Sequence, residues 1–520
     1  MSRYALLCPL VSLSLLASAC SLPGGDGDGP ADGDHGEGSG ASYDEDLRPQ
    51  FHYSPTEGDM ADPNGLVYHD GEYHLFHQQW GTWAHAVSPD LVHWEELPTA
   101  LEHDELGQAL SGSAVVDHDN TSGLFPEGEG GIVTVHTNTE GGEAQSIAYS
   151  EDGRTFERYD GNPVLPNDGR EDFRDPQVFW HEQSGSWIMA VSSGQKVEIF
   201  GSPDLLEWEK LSEFGDDQGM QTAVWECPEL FELPVDGDPD DTRWVLAVSV
   251  GSSEETGGST AQYFVGDFDG ETFTSDDPPE RERVVDAGQD FYAAQSFAEA
   301  PDDRRVWLAW VGNWAHPYAA PTEGWTNHMS VPREVTLRST GDGDVELAQA
   351  PVDELDGLRG EPVHVPEGEI DGLVPVDFEG RSFEFEAEID LGEAEEAGLR
   401  VFDGDASGEE SWFAIGGNTE HGEFVMDRAN GGPQTLHDPE LEEDAEFGVR
   451  RAQEHEPEDG VLRMRGYVDE SSVEVFVDDG SLTGTMLAYP EPGDAGVTLY
   501  ASGGAARLES LTIHPMEAVR

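Results

Sequence analysis

The sequence predicts an all-β protein, a β-propeller followed by a C-terminal antiparallel β-sandwich. Two interleaved repeats and a change of pattern near residue 345 carry that prediction. In the first repeat an acid stands just ahead of a proline, followed by an apolar stretch, a polar turn and a second apolar stretch opening on an aromatic. It occurs at Asp62 (DPNGLVYHDGEYHLFHQ), Asp175 (DPQVFWHEQSGSWIMAVSS) and Glu226 (ECPELFELPVDGDPDDTRWVLAVSV). Proline is tolerated at the start of a strand but not in its middle, so each acid is expected where a strand begins. In a ring of repeated sheets, equivalent strand starts converge on one end of the central channel, which would bring three carboxylates together. The second repeat, SPDLVHWEEL from Ser88, SEDGRTFERY from Ser150 and SPDLLEWEKL from Ser202 with a weaker echo ending at Phe273, interleaves with the first. A spacing of about 50 residues suits one four-stranded blade.

Along the chain, residues 1–20 read as an export signal: Arg3, an apolar run, then Ala17-Ser18-Ala19 before Cys20. The small residues before a cysteine are lipobox-like, which would leave Cys20 lipidated; the alternative is simple cleavage and secretion. Residues 21–48 form a Gly/Asp-rich tether without apolar periodicity, expected to be disordered. Residues 49–345 hold the repeats and are assigned to the propeller. Residues 346–520 alternate short segments such as RSFEFEAEIDL and SSVEVFVDDG with Gly/Asp turns, the pattern of a sandwich.

With 109 Asp and Glu against 25 Lys and Arg, the formal net charge is −84, and the only lysines are Lys196 and Lys210. Nucleic acid and anionic membrane surfaces are excluded as partners, and membrane contact is expected only through an N-terminal lipid anchor. Recurring apolar runs and 9% aromatic residues argue for a folded protein with an acidic surface, not a disordered one. Such acidity points to a halophilic protein, because repulsion is screened when the Debye length falls to about 3 Å at 1 M salt. Beyond Cys20, Cys227 is the only cysteine downstream, and no two histidines stand at the spacing of an HExxH motif, so no metal and no cofactor are expected. His316 and His328 are expected at the surface or against sugar.

Three carboxylates at one channel mouth are the material of a glycosidase, which needs one carboxylate ionised and one carrying a proton. Alternatives are ordinary turn residues at Asp62 and Asn64, a structural ion pair at Arg174–Asp175 and a surface acid at Glu226. Cys227 reads as a small packing residue. Trp80, Trp83, Trp225, Trp314 and Trp325 could be core or could offer ring faces to sugar.

The motifs DMADPNG, FRDPQVF and WECPEL, with LSGSAVVD, DFYAAQSF, NWAHPYAAPTEGWTNHMSVPRE and the sandwich motif SSVEVFVDDG, resemble those of glycoside hydrolase family 32, the invertases, inulinases and levanases. The resemblance implies a five-bladed propeller and a retaining hydrolase that releases terminal β-D-fructofuranosyl units from fructans (levan or inulin) and sucrose. It assigns Asp62 as nucleophile, Glu226 as general acid/base and Asp175 as transition-state stabiliser. It places Asn64, Gln78, Trp83, Ser113, Arg174, Trp225, Asn313 and Trp314 at the substrate. Two departures stand beside the nucleophile: Asp59 and Ala61 occupy positions that hold Trp and Asn in the family motif. The rival readings are a fructosyltransferase, an inverting propeller glycosidase for arabinose or xylose, and an anchored carbohydrate-binding lipoprotein.

Overall fold

The computed structural model describes residues 43, 45–341, 343–404 and 410–520. The expected signal, Cys20 and nearly all of the tether lie outside them.

Five four-stranded antiparallel blades follow one another along the chain. Blade 1 is Pro63–His69, Glu72–Gln79, Thr82–Ser88 and Glu95–Leu101; blade 2 runs from Ala109–Asp117 to Glu157–Arg158; blade 3 runs from Phe173–His181 to Glu209–Phe214. Blade 4 runs from Trp225–Val235 to Phe273–Ser275, and blade 5 is Tyr292–Ser296, Val306–Val311, Arg333–Ser339 and Val345–Pro351, so the propeller runs past the expected boundary at 345 because the last strand of blade 5 pairs with Arg333–Ser339. One parallel pair, Val235 with Leu337, joins blades 4 and 5 into a single sheet. Neighbouring blades pack through the apolar residues of their strands: Ile188, Ala190, Leu230, Leu246 and Phe264 form one core between blades 3 and 4. The serine-acid repeat closes the outer turns, where Asp90 and Asp204 accept backbone N–H groups two and three residues on and Trp94 and Trp208 donate back to Leu91 and Leu205 carbonyls.

The C-terminal part is one continuous sheet folded on itself along its last strand, Gly496–Pro515. The first half of that strand pairs with Glu396–Gly404 and the second with Phe383–Asp390. The two halves face each other across a core that includes Phe385, Leu399, Ile415, Met464 and Val475. In Phe383–Asp390 the alternation is met: Phe383, Phe385, Ala387 and Ile389 are buried. Glu384, also buried, is held by Arg359 and Arg465.

Propeller and sandwich join through a buried charge network as well as an apolar seam of Phe51, Leu66, Met329, Tyr467 and Phe476. Arg333 of blade 5 donates to Glu474 of the sandwich strand Ser472–Val477 at 2.5 Å and to Asp286 at 3.0 Å. His52 lies between Asp469 and Glu474, with each ring nitrogen 2.8 Å from a carboxylate oxygen. An imidazole can satisfy two carboxylates only by donating from both nitrogens, so His52 is a cation. Burial opposes that charge, but the two carboxylates outweigh it and push the pKa up to about 9. His316 and His328 are both buried, contrary to the expected surface or sugar contacts: His316 faces Asp290, and the His328 ring lies against that of His52.

Candidate active site

Every innermost blade strand is broken by a β-bulge near its first residues, between Asn64 and Val67, Ala109 and Gly112, Arg174 and Gln177, Glu226 and Glu229, and Tyr292 and Gln295. A bulge re-aims a side chain away from the sheet. In blades 3, 4 and 5 the residue after the bulge's first position has positive φ, 64° at Asp175, 47° at Cys227 and 55° at Ala293. Each such non-glycine residue costs of order 1–3 kcal/mol, which the surrounding blades must offset. The strain turns Arg174, Glu226 and Tyr292 toward one another at the channel mouth.

The carboxylates expected from sequence meet there. Asp62 precedes the first strand of blade 1; its Oδ2 accepts the Ser111 hydroxyl at 2.7 Å, and its buried Oδ1 has no partner in the protein. Asp175 Oδ2 accepts the Cys227 backbone N–H at 3.1 Å, and Cys227 Sγ stands 3.7 Å from both Asp62 Oδ2 and Asp175 Oδ2. The thiol touches two of the three acids and reaches further than simple packing, yet burial and then the charges of Asp175 and Asp62 push its pKa up and keep it protonated. Glu226 Oε1 accepts from Arg174 Nε at 2.9 Å and Oε2 from the Tyr292 hydroxyl at 2.5 Å. Arg174 is held in turn by Glu143 and Asp172.

Burial, and after it the charge of Glu226, pushes Asp62 up to about 6 against the pull of the Ser111 bond. Asp175 is raised too, by burial first and then by Glu226 and Asp62, with Arg174 opposing. Asp62 is therefore ionised above about pH 6 and gains a proton below it. The acid limb of kcat/KM is expected near pH 6, and Ser111→Ala, which removes a bond to the ionised form, should move that limb upward. A pH–rate profile of the two proteins checks both; an unmoved limb in the variant would show that Ser111 does not set it.

The remaining predicted residues divide into those at the acids and those behind them. Arg174 touches Glu226, and Trp314 packs edge-on against Tyr292. Gln78 pairs its backbone with Asp62 and donates its side chain to the Ala109 carbonyl. Asn64 and Asn313 are buried and bonded to backbone groups, Asn64 to Asp62 and Gly112 and Asn313 to Ser259, Gln289 and Ala315. Ser113 ties blade 2 to blade 3 through Pro176 and Val178. Trp83 and Trp225 are fully buried, donating to Leu110 and Met220 carbonyls, and Trp325 lies under Arg48. Trp80 is 61% exposed, at the turn following Gln79 and hence at the same end of the propeller as Asp62. Asp59 accepts the Thr326 hydroxyl, and burial raises its pKa to about 7; Ala61 packs with Cys227, Tyr292 and Trp310. Ser111, Tyr292 and Trp310 were not singled out from sequence.

A propeller mouth with carboxylates from three blades, one with a free oxygen and one bridged by an arginine and a phenol, defines a glycoside hydrolase. The chain matches the family model described as Glycosyl hydrolases family 32 N-terminal domain over residues 52–351 and that described as Glycosyl hydrolases family 32 C terminal over residues 354–515. It is similar to a levanase of Bacillus subtilis (strain 168), 44% identical over 92% of this chain and 71% of that protein. A levanase of Bacillus sp. (strain L7) is 38% identical over 91% of this chain, which spans 53% of that protein. Among solved structures, an exo-inulinase from Aspergillus awamori superposes with a TM-score of 0.82 at 31% identity, covering 92% of this chain and 100% of that one. The chain belongs to glycoside hydrolase family 32.

Proposed function

We propose that this protein is a secreted, retaining β-fructofuranosidase that releases terminal fructose from fructans of the levan or inulin type and from sucrose. The observation that carries the reading is the pairing of Asp62, whose Oδ1 is unpartnered, with Glu226, whose two oxygens are held by Arg174 and Tyr292. Asp62 attacks the anomeric carbon while Glu226 gives its proton to the leaving oxygen; water then releases the sugar from Asp62 with Glu226 as base. Asp175, fixed by the Cys227 N–H, holds fructosyl hydroxyls. Similarity to levanases and to exo-inulinases, including extracellular exo-inulinases of Aspergillus, supports fructan as substrate and export as destination. Lipidation of Cys20 would then hold the enzyme at the outer face of the cell membrane.

Incubating the purified protein in molar salt with sucrose, inulin and levan, and identifying the sugars released, tests the reading. Monomeric fructose is expected from the first minutes. Long oligosaccharides as early products would contradict exo action, and fructosyl transfer to added sugar in preference to water would favour the fructosyltransferase.

A further inference from the structure

Arg174, Glu226 and Tyr292 occupy the same bulge position in blades 3, 4 and 5, and both neighbours donate to Glu226, one to each oxygen. We infer that Tyr292 is a positioning residue of the reaction, fixing Oε2 of Glu226 as the oxygen through which the proton is passed. The inference rests on Glu226 being the acid/base proposed above.

The two donors differ in what they permit. A guanidinium has donors and no acceptor, so a proton on Oε1 would face the Arg174 N–H and is disfavoured there. A phenol both donates and accepts. Its O–H holds the ionised Oε2, and by rotating it tolerates a protonated one, so the contact survives both half-reactions. In the first half-reaction the Oε2–H bond breaks and the proton goes to the glycosidic oxygen. The bond from that oxygen to the anomeric carbon breaks with its electron pair staying on oxygen, and Asp62 Oδ1 bonds to the carbon. In the second, a water oxygen bonds to the carbon, a water proton passes to Oε2, and the Asp62 bond returns its pair to Asp62.

Tyr292 is built for this. It is fully buried, and its ring stands edge-on to Trp310 and Trp314 at 6.2 and 6.4 Å. The next residue, Ala293, is pinned in its positive-φ conformation by donating to Ser249 Oγ at 2.9 Å. Burial, and then the charge on Glu226, pushes the phenol well above its ordinary pKa, so it remains a neutral hydroxyl.

Leaving-group dependence separates positioning of the acid from mere packing. Sucrose needs its leaving oxygen protonated, whereas p-nitrophenyl β-D-fructofuranoside expels a stable phenolate without help. For Tyr292→Phe, kcat/KM is expected to fall roughly ten- to a hundredfold on sucrose and less than about threefold on the aryl fructoside, a part of the roughly 10²–10⁴-fold available to general acid catalysis. Glu226→Gln, measured in parallel, should show the same discrimination in larger degree. If Glu226→Gln discriminates and Tyr292→Phe lowers both substrates alike, or neither, the inference is overturned while the acid/base assignment stands. If Glu226→Gln does not discriminate, the assignment itself fails and the inference with it.

Discussion

Asp62→Asn is expected to lower turnover on fructan by at least roughly a hundredfold while the circular dichroism spectrum and melting temperature stay close to those of the parent, and Glu226→Gln to do the same. The fold should be little affected because each amide keeps an oxygen and a nitrogen for the hydrogen bonds that its carboxylate makes to neighbouring blades. Asp62 is bonded by its side chain to Ser111, with the Cys227 thiol beside it, and Glu226 to Arg174 and Tyr292, all at the channel mouth. Asn keeps the Ser111 contact but cannot form the ester, and Gln cannot carry the proton. Near-parental turnover in either variant would remove the site assignment. A melting temperature lowered along with activity would show instead that the acids serve the fold.

The second large effect is on stability. Arg333→Met is expected to destabilise the protein by roughly 3–5 kcal/mol, because it leaves Glu474 and Asp286 charged and buried with their guanidinium removed. In the parent, Arg333 also donates to Gln349 and Thr485, and its guanidinium lies over the rings of Phe291 and Phe476. Glu474 would keep His52 and the Val331 N–H, and Asp286 would keep Thr483 and Thr485, so the loss is large but not total. Urea unfolding of the two proteins side by side measures it. A midpoint unchanged by the substitution would mean that the charge network does not couple propeller to sandwich.

What could be read in advance follows from where chemistry constrains the backbone. The three acids were legible because proline restricts where a strand can hold it: Pro63 opens its innermost strand, while Pro176 and Pro228 each sit fourth in theirs, inside the bulge. The sandwich was legible in the alternation of segments such as Phe383–Asp390. Tyr292 was not, because DFYAAQSF carries no proline or acid at the bulge that turns the phenol inward. Ser111 and Ser113 stand two apart in LSGSAVVD, and only the register shift between Ala109 and Gly112 sends one to Asp62 and the other beneath blade 3. Indole rings give no sign of direction, so Trp83 and Trp225, expected at the sugar, lie in the core. His52 meets Asp469 and Glu474 across more than 400 residues of chain, beyond any local pattern. In SSVEVFVDDG the alternation correctly turned Val473, Val475 and Val477 inward, but the opposite face, bearing Glu474, meets the propeller instead of water.

The central claim is that Asp62 forms a covalent fructosyl intermediate, which requires two inversions and therefore net retention at the anomeric carbon. Nuclear magnetic resonance of the fructose first released from sucrose or inulin, recorded before mutarotation, tests it directly. The account predicts the β-furanose anomer in the earliest spectra, with the other forms growing in afterwards. The α-furanose anomer appearing first would mean that water attacks the sugar directly and would move this protein to an inverting mechanism in which Asp62 is a base.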